Sequence, residues 1–560
     1  MPPLFFRYRQ SGKRDRKDRR AVSGSLVLFL HAHLPYVKHP EYEYSLEENW
    51  LFEAMRETYL PLLDTLEQMV HDGVSPRLTL SFSPPLMEML SDDLLRNRFI
   101  RSLENLIELS EQEVKRTARS PFAPIALFYR SAFRRALRLY TERYRRDLLS
   151  AFRQLQEEGH IEVTATAATH AFLPAFAPCP ETVRSQIELG VKSYRRVFGK
   201  QPRGFWLPEC GYYPGLDSFL KDAGIRYFSV EAHGVLEGRP RPRYSVYRPV
   251  LSPAGLSVFG RDFASARQVW CAFRGYPGDP WYRDFYRDIG FDLPLAYTGR
   301  FTRFRGIRTF TGMKYYRVTG RTGDKRPYDR AAALQKVSEH AAHFAGEKEA
   351  DFRKLLPYGF PPVILSAFDA ELFGHWWFEG VEWLDLVLRG GGEKGRAYRV
   401  TTPSSYLLRH PVVQEDCTKI APSTWGEGGH GEIWIGERNH YLYRHLHTMA
   451  DRMKSLAVRT MQGKRTKKTV VQRALHQAMR EMLLAQSSDW VFLMEKDRAS
   501  EYAESRVKGH LQRFNLLYSM IMEERVDERG VGELEERDGI FPWLSWPGDY
   551  NALLSDSSVS

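Results

Sequence analysis

Seven short runs rich in β-branched and aromatic residues are spread along this chain, and nearly every one ends in a side chain able to do chemistry. The two most telling are GFWLPE, which closes on Glu209, and PVILSAFDAE, which presents Asp369. Between and around them, LVLFLHAH delivers His31 and His33, LTLSFS delivers Ser83, and EVTATAATH leads to His170. YFSVEAHG brings Glu231 and His233, and LSVFGRD brings Arg261 and Asp262. Two carboxylates far apart in sequence and both at strand ends suggest a glycosidase-type pair, one as nucleophile on an anomeric carbon and one as acid/base on the leaving oxygen.

Residues just past the carboxyl ends of parallel strands converge on one face of a barrel, and that face carries the chemistry in such enzymes. Side chains two apart on a strand point to the same side, so His31 with His33, Glu231 with His233, and Asp369 with Glu371 are potential same-face pairs. A strand end that exits into solvent also tolerates a polar residue, which is the plainer reading of any one pair. Glu209 follows a proline, a rigid backbone position suited to a nucleophile. Asp369 sits among Phe368, Phe373 and Trp376, where desolvation would raise its pKa toward that of a general acid. The histidines and Arg261 can hydrogen-bond sugar hydroxyls. An H-x-H pair with an Asp and a further His is also legitimate zinc chemistry, and the two well-separated carboxylates flanked by tryptophans favour sugar over metal. No metal or other cofactor is expected. Trp50, Trp270, Trp425 and Trp434 are candidate platforms for the apolar face of a pyranose. A lone Trp is more often core, but Trp425 lies in the glycine-rich STWGEGG.

A chain of 560 residues, 43% hydrophobic and 27% charged, is long enough for a large catalytic domain with another appended. No uninterrupted apolar run reaches membrane-spanning length, so no membrane association is expected. Cys179, Cys210, Cys271 and Cys417 show no CxxC spacing, which argues against a disulfide framework and fits a reducing cytoplasm. Cys210 follows Glu209 without an obvious base and reads as a packing residue. The formal charge of +12 invites a nucleic-acid reading, yet residues 1–24 alone hold eight Lys or Arg against two Asp. That segment lacks the apolar stretch of a signal peptide and reads as a disordered basic leader, so no nucleic-acid partner is expected.

The expected architecture is α/β. A barrel spans 25–402 with a helical insertion at about 87–158, where apolar residues recur at three-to-four spacing. The stretch EGRPRPRYSVYRPVL is too broken by proline for a helix and reads as a long loop, of the kind that forms lids at barrel mouths. A helix beginning near Tyr328 leads to the Asp369 strand. Residues 403–550 read as a C-terminal helical domain, with HYLYRHLHTMADRMKSLAV, RALHQAMREMLLAQSSDWVFLM and HLQRFNLLYSMIMEE each taken as one amphipathic helix. A frayed tail is expected over 551–560.

The strings HAHLPY, ATHAFLP, FWLPECGYYPG, SAFDAELFGHWWFEG and STWGEGGHGEIW resemble the ordered motifs of glycoside hydrolase family 57, and in detail those of its 1,4-α-glucan branching enzymes. The resemblance covers almost all of the chain beyond the leader. It implies a seven-stranded (β/α)7 barrel with a helical subdomain inserted after the second strand and a C-terminal α-helical domain. It makes Glu209 the nucleophile and Asp369 the acid/base. Tyr244 would lie on a mobile loop that covers the site, and Trp50, Trp270, Trp425 and Trp434 would line the glucan groove. His31, His33, His170, His233 and Arg261 would surround the bound sugar. The activity implied is cleavage of an α-1,4-glucan and transfer of the segment to an O6 hydroxyl, by a retaining double displacement, in glycogen biosynthesis. A family 57 α-amylase or 4-α-glucanotransferase is the alternative. The partner is an α-glucan polysaccharide, and the protein is expected to act as a monomer. The chain departs from the family pattern in its basic leader and in reading Tyr244-Ser245 where glycine would follow the tyrosine; a stiffer loop there favours hydrolysis over transfer.

Overall fold

Each of the seven runs forms a strand, and their mutual pairing is almost wholly parallel. The structure is a computed structural model that describes residues 24–554 apart from 272–274, 303–305, 321, 392–395, 412, 414–418 and 463–468. The basic leader through residue 23, Cys417 and residues 555–560 lie outside the described residues. In chain order the strands are β1 (Gly24–Ala32), β2 (Leu78–Phe82), β3 (Ile161–Thr166), β4 (Gly204–Trp206), β5 (Tyr227–Val230), β6 (Val250–Leu251), β7 (Ser257–Gly260), β8 (Val363–Asp369) and β9 (Tyr398–Val400). The sheet order is β6-β7-β5-β4-β3-β2-β1-β8, with β9 also on β1. Only the two-residue β6 runs antiparallel, against β7. A parallel bridge between Arg261 and Leu365 joins the β7 side to β8, so the sheet curls back on itself as the seven-stranded barrel requires.

The alternation of side chains along the strands explains where the chemistry sits. Val27 and Phe29 of β1 and Val363, Leu365 and Ala367 of β8 share one inner cluster with Trp206, Tyr227 and Phe259. Leu26, Leu28 and Leu30 instead pack into the larger core with the surrounding helices. Both faces are apolar, as expected of parallel strands covered by helices. Continuing the inward parity past the apolar residues reaches His31 on β1 and Asp369 on β8, which are register partners. Ser81 of β2 lies opposite His31 on its other side.

The insertion after β2 is helical, with helices Pro84–Ser91, Asp93–Thr117, Ala123–Arg138 and Leu148–Glu157. Asp92 caps the second of these by accepting the Leu95 N–H. Helix Arg330–Leu355 leads into β8. The C-terminal region is built of helices Tyr443–Gln462, Thr469–Ala485, Ser488–Glu495 and Ser500–Met522. Two expectations need correction. RALHQAMREMLLAQSSDWVFLM is two helices, broken at Gln486-Ser487, because its small polar residues turn to the catalytic centre rather than continue an apolar stripe. Residues 551–554, expected to fray, form a short helix in which Ala552 and Leu553 are buried. Among the described residues, no helix is long and apolar enough to cross a membrane.

Candidate active site

Glu209 stands on a tight turn immediately after β4. Leu207 and Pro208 lead into a single turn, Pro208–Cys210, in which Glu209 and Cys210 both take left-handed backbone conformations at φ 60° and 52°. Such conformations cost residues other than glycine about 1–3 kcal/mol each and persist only where the surroundings over-determine them. Here they do. The Glu209 carbonyl accepts the Trp425 backbone N–H at 2.9 Å. Its carboxylate is clamped at both oxygens, with Oε2 accepting the Trp425 indole N–H at 2.6 Å and Oε1 the Ser488 hydroxyl at 2.9 Å. Neither donor belongs to a barrel strand. Burial raises the Glu209 pKa to about 7, against the lowering effect of these two hydrogen bonds.

Asp369 ends β8, and burial followed by the neighbouring charge of Glu371 raises its pKa to about 7, with Arg261 and His33 pulling the other way. Asp369 in turn raises Glu209, so the two carboxylates face one electrostatic environment. Glu371 is also pushed up to about 7 by burial. Its carboxylate accepts the Tyr59 hydroxyl and, at 3.1 Å, the His33 backbone N–H. Arg261 crosses the barrel seam, its Nε donating to the Ala367 carbonyl and its Nη1 to Glu231, both at 2.9 Å. The guanidinium lies over the Trp425 ring, 5.2 Å from its centroid.

The histidines form one stack. The rings of His33 and His170 lie 3.7 Å apart between centroids, and His31 is 4.8 Å from His170. His170, like Glu209, takes a left-handed conformation at φ 57°. Burial and the neighbouring rings hold His31 and His170 far below their ordinary pKa, hence neutral. At His33 burial opposes the charge, yet Asp489 outweighs it and the pKa rises, with Nε2 2.8 Å from the Asp489 carboxylate. Ligand atoms of His31, His33 and His170 lie within 4.8 Å of one another, a spacing a metal could bridge. All six ring nitrogens already have partners, however. His31 meets Ser81 and, at 2.8 Å, the Nε2 of His170; His33 meets Ser83 and Asp489; His170 also meets Ser488. A nitrogen-to-nitrogen distance of 2.8 Å is a hydrogen bond between neutral rings, so the donor set does not fit an ion without repacking.

The remaining expected residues separate into those the structure gathers here and those it does not. Trp425 is gathered, but as the donor to Glu209. Trp50 is half-buried and meets Tyr502 edge-on at 5.9 Å. His233 fastens the Trp425 loop instead, its Nε2 2.7 Å from the Gly429 carbonyl. It parts from Glu231 because a helix begins at Ala232 and the strand alternation ends. Trp434 is 1% exposed and stacks on Phe172, so it is core and not a sugar platform; its indole meets an apolar ring on a loop that turns inward. Trp270 is 51% exposed, at the end of helix Phe263–Trp270, and touches neither carboxylate. Tyr244 does not cover the site. It rests on Phe360, 4.2 Å between ring centroids, just before the start of β8 and thus at the end opposite Asp369. The guanidinium groups of Arg243 and Arg248, each 5.4 Å from its ring, hold it there. Cys210 is buried with its thiol pKa pushed well up by burial, in keeping with a packing role.

Ser488, Asp489 and Tyr59 were not anticipated. A signal existed for the first two, since QSSD interrupts an otherwise apolar helical run. Replacing Ser488 with Ala should lower kcat about tenfold, and Trp425 with Phe about tenfold to a hundredfold, given the usual strength of hydrogen bonds to charged groups. Both donors lower the Glu209 pKa, so removing either should also move the acid limb of the kcat/KM profile to higher pH. An unmoved limb would show that these groups do not hold the carboxylate.

Two buried carboxylates with raised pKa, at the C-terminal ends of strands in a parallel barrel, define a glycoside-bond-processing enzyme. Residues 27–411 match glycosyl hydrolase family 57, and residues 445–547 match the C-terminal region of 1,4-alpha-glucan branching enzymes. The chain belongs to glycosyl hydrolase family 57. It is 32% identical to a 1,4-alpha-glucan branching enzyme of Thermococcus kodakarensis over 93% of this chain and 78% of that protein. The crystal structure of the GH57-type branching enzyme of Pyrococcus horikoshii superposes with a TM-score of 0.83 at 33% identity, covering 96% of this chain and 97% of that one. The alpha-amylase AmyC of Thermotoga maritima superposes with a TM-score of 0.87 at 42% identity, covering 96% and 100%.

Proposed function

We propose that this chain is a 1,4-α-glucan branching enzyme working by a retaining double displacement. The observation that carries the mechanism is the pair Glu209 and Asp369, the first clamped at both oxygens by Trp425 and Ser488. The Glu209 carboxylate attacks the anomeric carbon while Asp369 gives its proton to the departing O4, and a glycosyl ester on Glu209 results. Asp369, now a carboxylate, takes the proton from an incoming O6 hydroxyl as that oxygen attacks the same carbon and frees Glu209. Neutral His31 and His170 and the Asp489-paired His33 sit beside the reacting centre, where His170 meets Ser488 and His33 meets Asp489. The net result is an α-1,6 branch with no new reducing end.

Branching over hydrolysis is supported by the match of residues 445–547 to branching-enzyme C-terminal regions and by relatives named branching enzymes. An α-amylase is the second reading, because a structure of that name superposes at 42% identity. The free thiols of Cys179 and Cys210 fit a reducing cytoplasm, where glycogen biosynthesis would use the product. Proton NMR of amylose incubated with the chain, beside a reducing-end assay, separates the readings. Growth of the α-1,6 anomeric signal with few new ends is the expected result; many new ends without branches would make it an amylase.

A further inference from the structure

A second polar cavity lies outside the catalytic centre. Helix Glu48–Ala54 has two faces: Trp50 turns toward Tyr502 of the C-terminal helices, whereas Asn49, Phe52 and Glu53 turn toward the inserted helix Asp93–Thr117 and residues 301–302 and 309–311. Between these elements is a cavity that offers about 60 Å³ to the centres of water molecules. That is room for roughly four to six waters, comparable to the space of one pyranose ring.

Its lining is built for a neutral polyol. Three arginines and three glutamates face it, so their charges balance, and most are already spoken for. Arg98 pairs with Glu48, Arg101 approaches Glu43 at 3.7 Å, and Arg56 meets Glu57 at 3.2 Å. An anion would find no uncommitted positive field. The hydrogen-bonding capacity left over is of another kind. Among the described residues, the side chains of Asn49, Ser102 and Asn105, which also line the cavity, make no hydrogen bond. Amides and hydroxyls that both donate and accept match sugar hydroxyls, and Phe310, 37% exposed at the rim, offers a face for a pyranose.

We propose that this cavity is a second saccharide site that takes a glucosyl unit of an α-glucan while another part of the same polymer occupies the catalytic cleft. The proposal rests on the α-glucan reading of the active site. Two points of attachment on one polymer turn the second contact into an intramolecular event, so the site serves long glucans and not short ones.

The test uses the full chain and maltotetraose as probe. Calorimetric titration of the non-turning-over Glu209→Gln chain should find two sites per chain, and adding Asn105→Trp, which fills the cavity, should leave one. Asn105→Ala, which removes the amide without crowding, should weaken the same site and keeps the result independent of any folding defect in the bulkier variant. On an otherwise unaltered chain, Asn105→Ala should raise KM for amylose about tenfold with kcat unchanged, and leave the rate on maltotetraose as it was. A single site that survives both Asn105 substitutions would overturn the cavity and leave the catalytic reading standing. No maltotetraose bound anywhere would overturn both.

Discussion

Replacing Glu209 with Gln should give a chain that is inert on α-glucan and more stable than its parent above neutral pH. Loss of the nucleophile removes the covalent route, and deletions of this kind lower kcat by about 10⁴- to 10⁶-fold. The fold should accept the amide. Its oxygen can take the Trp425 indole N–H, and its NH2 can donate to the Ser488 oxygen, whose own hydrogen then turns to His170 Nδ1. The stability effect follows from the pKa. A carboxyl raised to about 7 in the folded state, against 4.5 unfolded, contributes stability in its protonated form. That contribution is fully present below the unfolded value and is lost as pH rises through 7. At pH 8 the parent has given up about 3 kcal/mol that a neutral amide does not forfeit. Melting curves at pH 5 and pH 8 should therefore show the variant's advantage growing with pH. With azide supplied as an external nucleophile, a Glu209→Ala chain should make the glycosyl azide of inverted configuration. Retained configuration from that variant would remove Glu209 from the nucleophile's role.

The Asp369→Asn chain should fail for a different reason and leave a different signature. Turnover on glucan should fall about 10²- to 10⁴-fold, the usual worth of a positioned acid/base. On an aryl maltoside whose leaving group needs no protonation, the first step should survive and the glycosyl ester on Glu209 should accumulate, visible as a burst of aryl alcohol and as a mass increment. The parent's kcat/KM should be bell-shaped around pH 7, because Glu209 must be ionised and Asp369 protonated and each is raised to about 7. The apparent values of that bell belong to the pair. Removing Asp369 abolishes the alkaline limb. It also lets the acid limb slide to lower pH, since the Asp369 charge is one of the influences that raise Glu209. A profile that keeps its alkaline limb would show that some other group holds the proton.

Much of the barrel was legible because strand alternation is a strong and local signal. All seven apolar runs are strands, and the parity that buries Val27 and Phe29 carries His31 inward, just as that of Leu365 and Ala367 carries Asp369. What was not legible depended on distant partners. Nothing local to Trp425 says that its indole meets Glu209, 216 positions away. Nothing local to Trp434 says that it is roofed by Phe172. Glu231 and His233 obey the two-residue rule on paper, but the strand has already ended at Val230. The QSSD segment was read as helix because its apolar neighbours outvoted four polar residues, and those four carried the information.

The loop at Tyr244 shows the same limit from another side. Glycine would follow the tyrosine in the family pattern, and here Ser245 follows, yet Ser245 takes φ 52°, the region where glycine is at ease. The residue takes a left-handed conformation and bears a strain of about 1–3 kcal/mol for it. Sequence alone reads such a replacement as a stiffer loop, whereas the structure shows a left-handed turn held under tension, with its tyrosine docked on Phe360.

The clamp on Glu209 has a consequence for anyone recombining this enzyme with its relatives. Barrel and C-terminal helices look like two cassettes that could be exchanged at the connection between residues 411 and 443. Yet the carboxylate oxygens that do the chemistry are gripped from within and beyond that connection, by Trp425 and Ser488, and Asp489 raises the pKa of His33. A chimera joined there inherits its nucleophile from one parent and that nucleophile's alignment from the other. The turn at 208–210, the loop at 423–431 and the segment 487–489 are one hereditary unit and must be transplanted together.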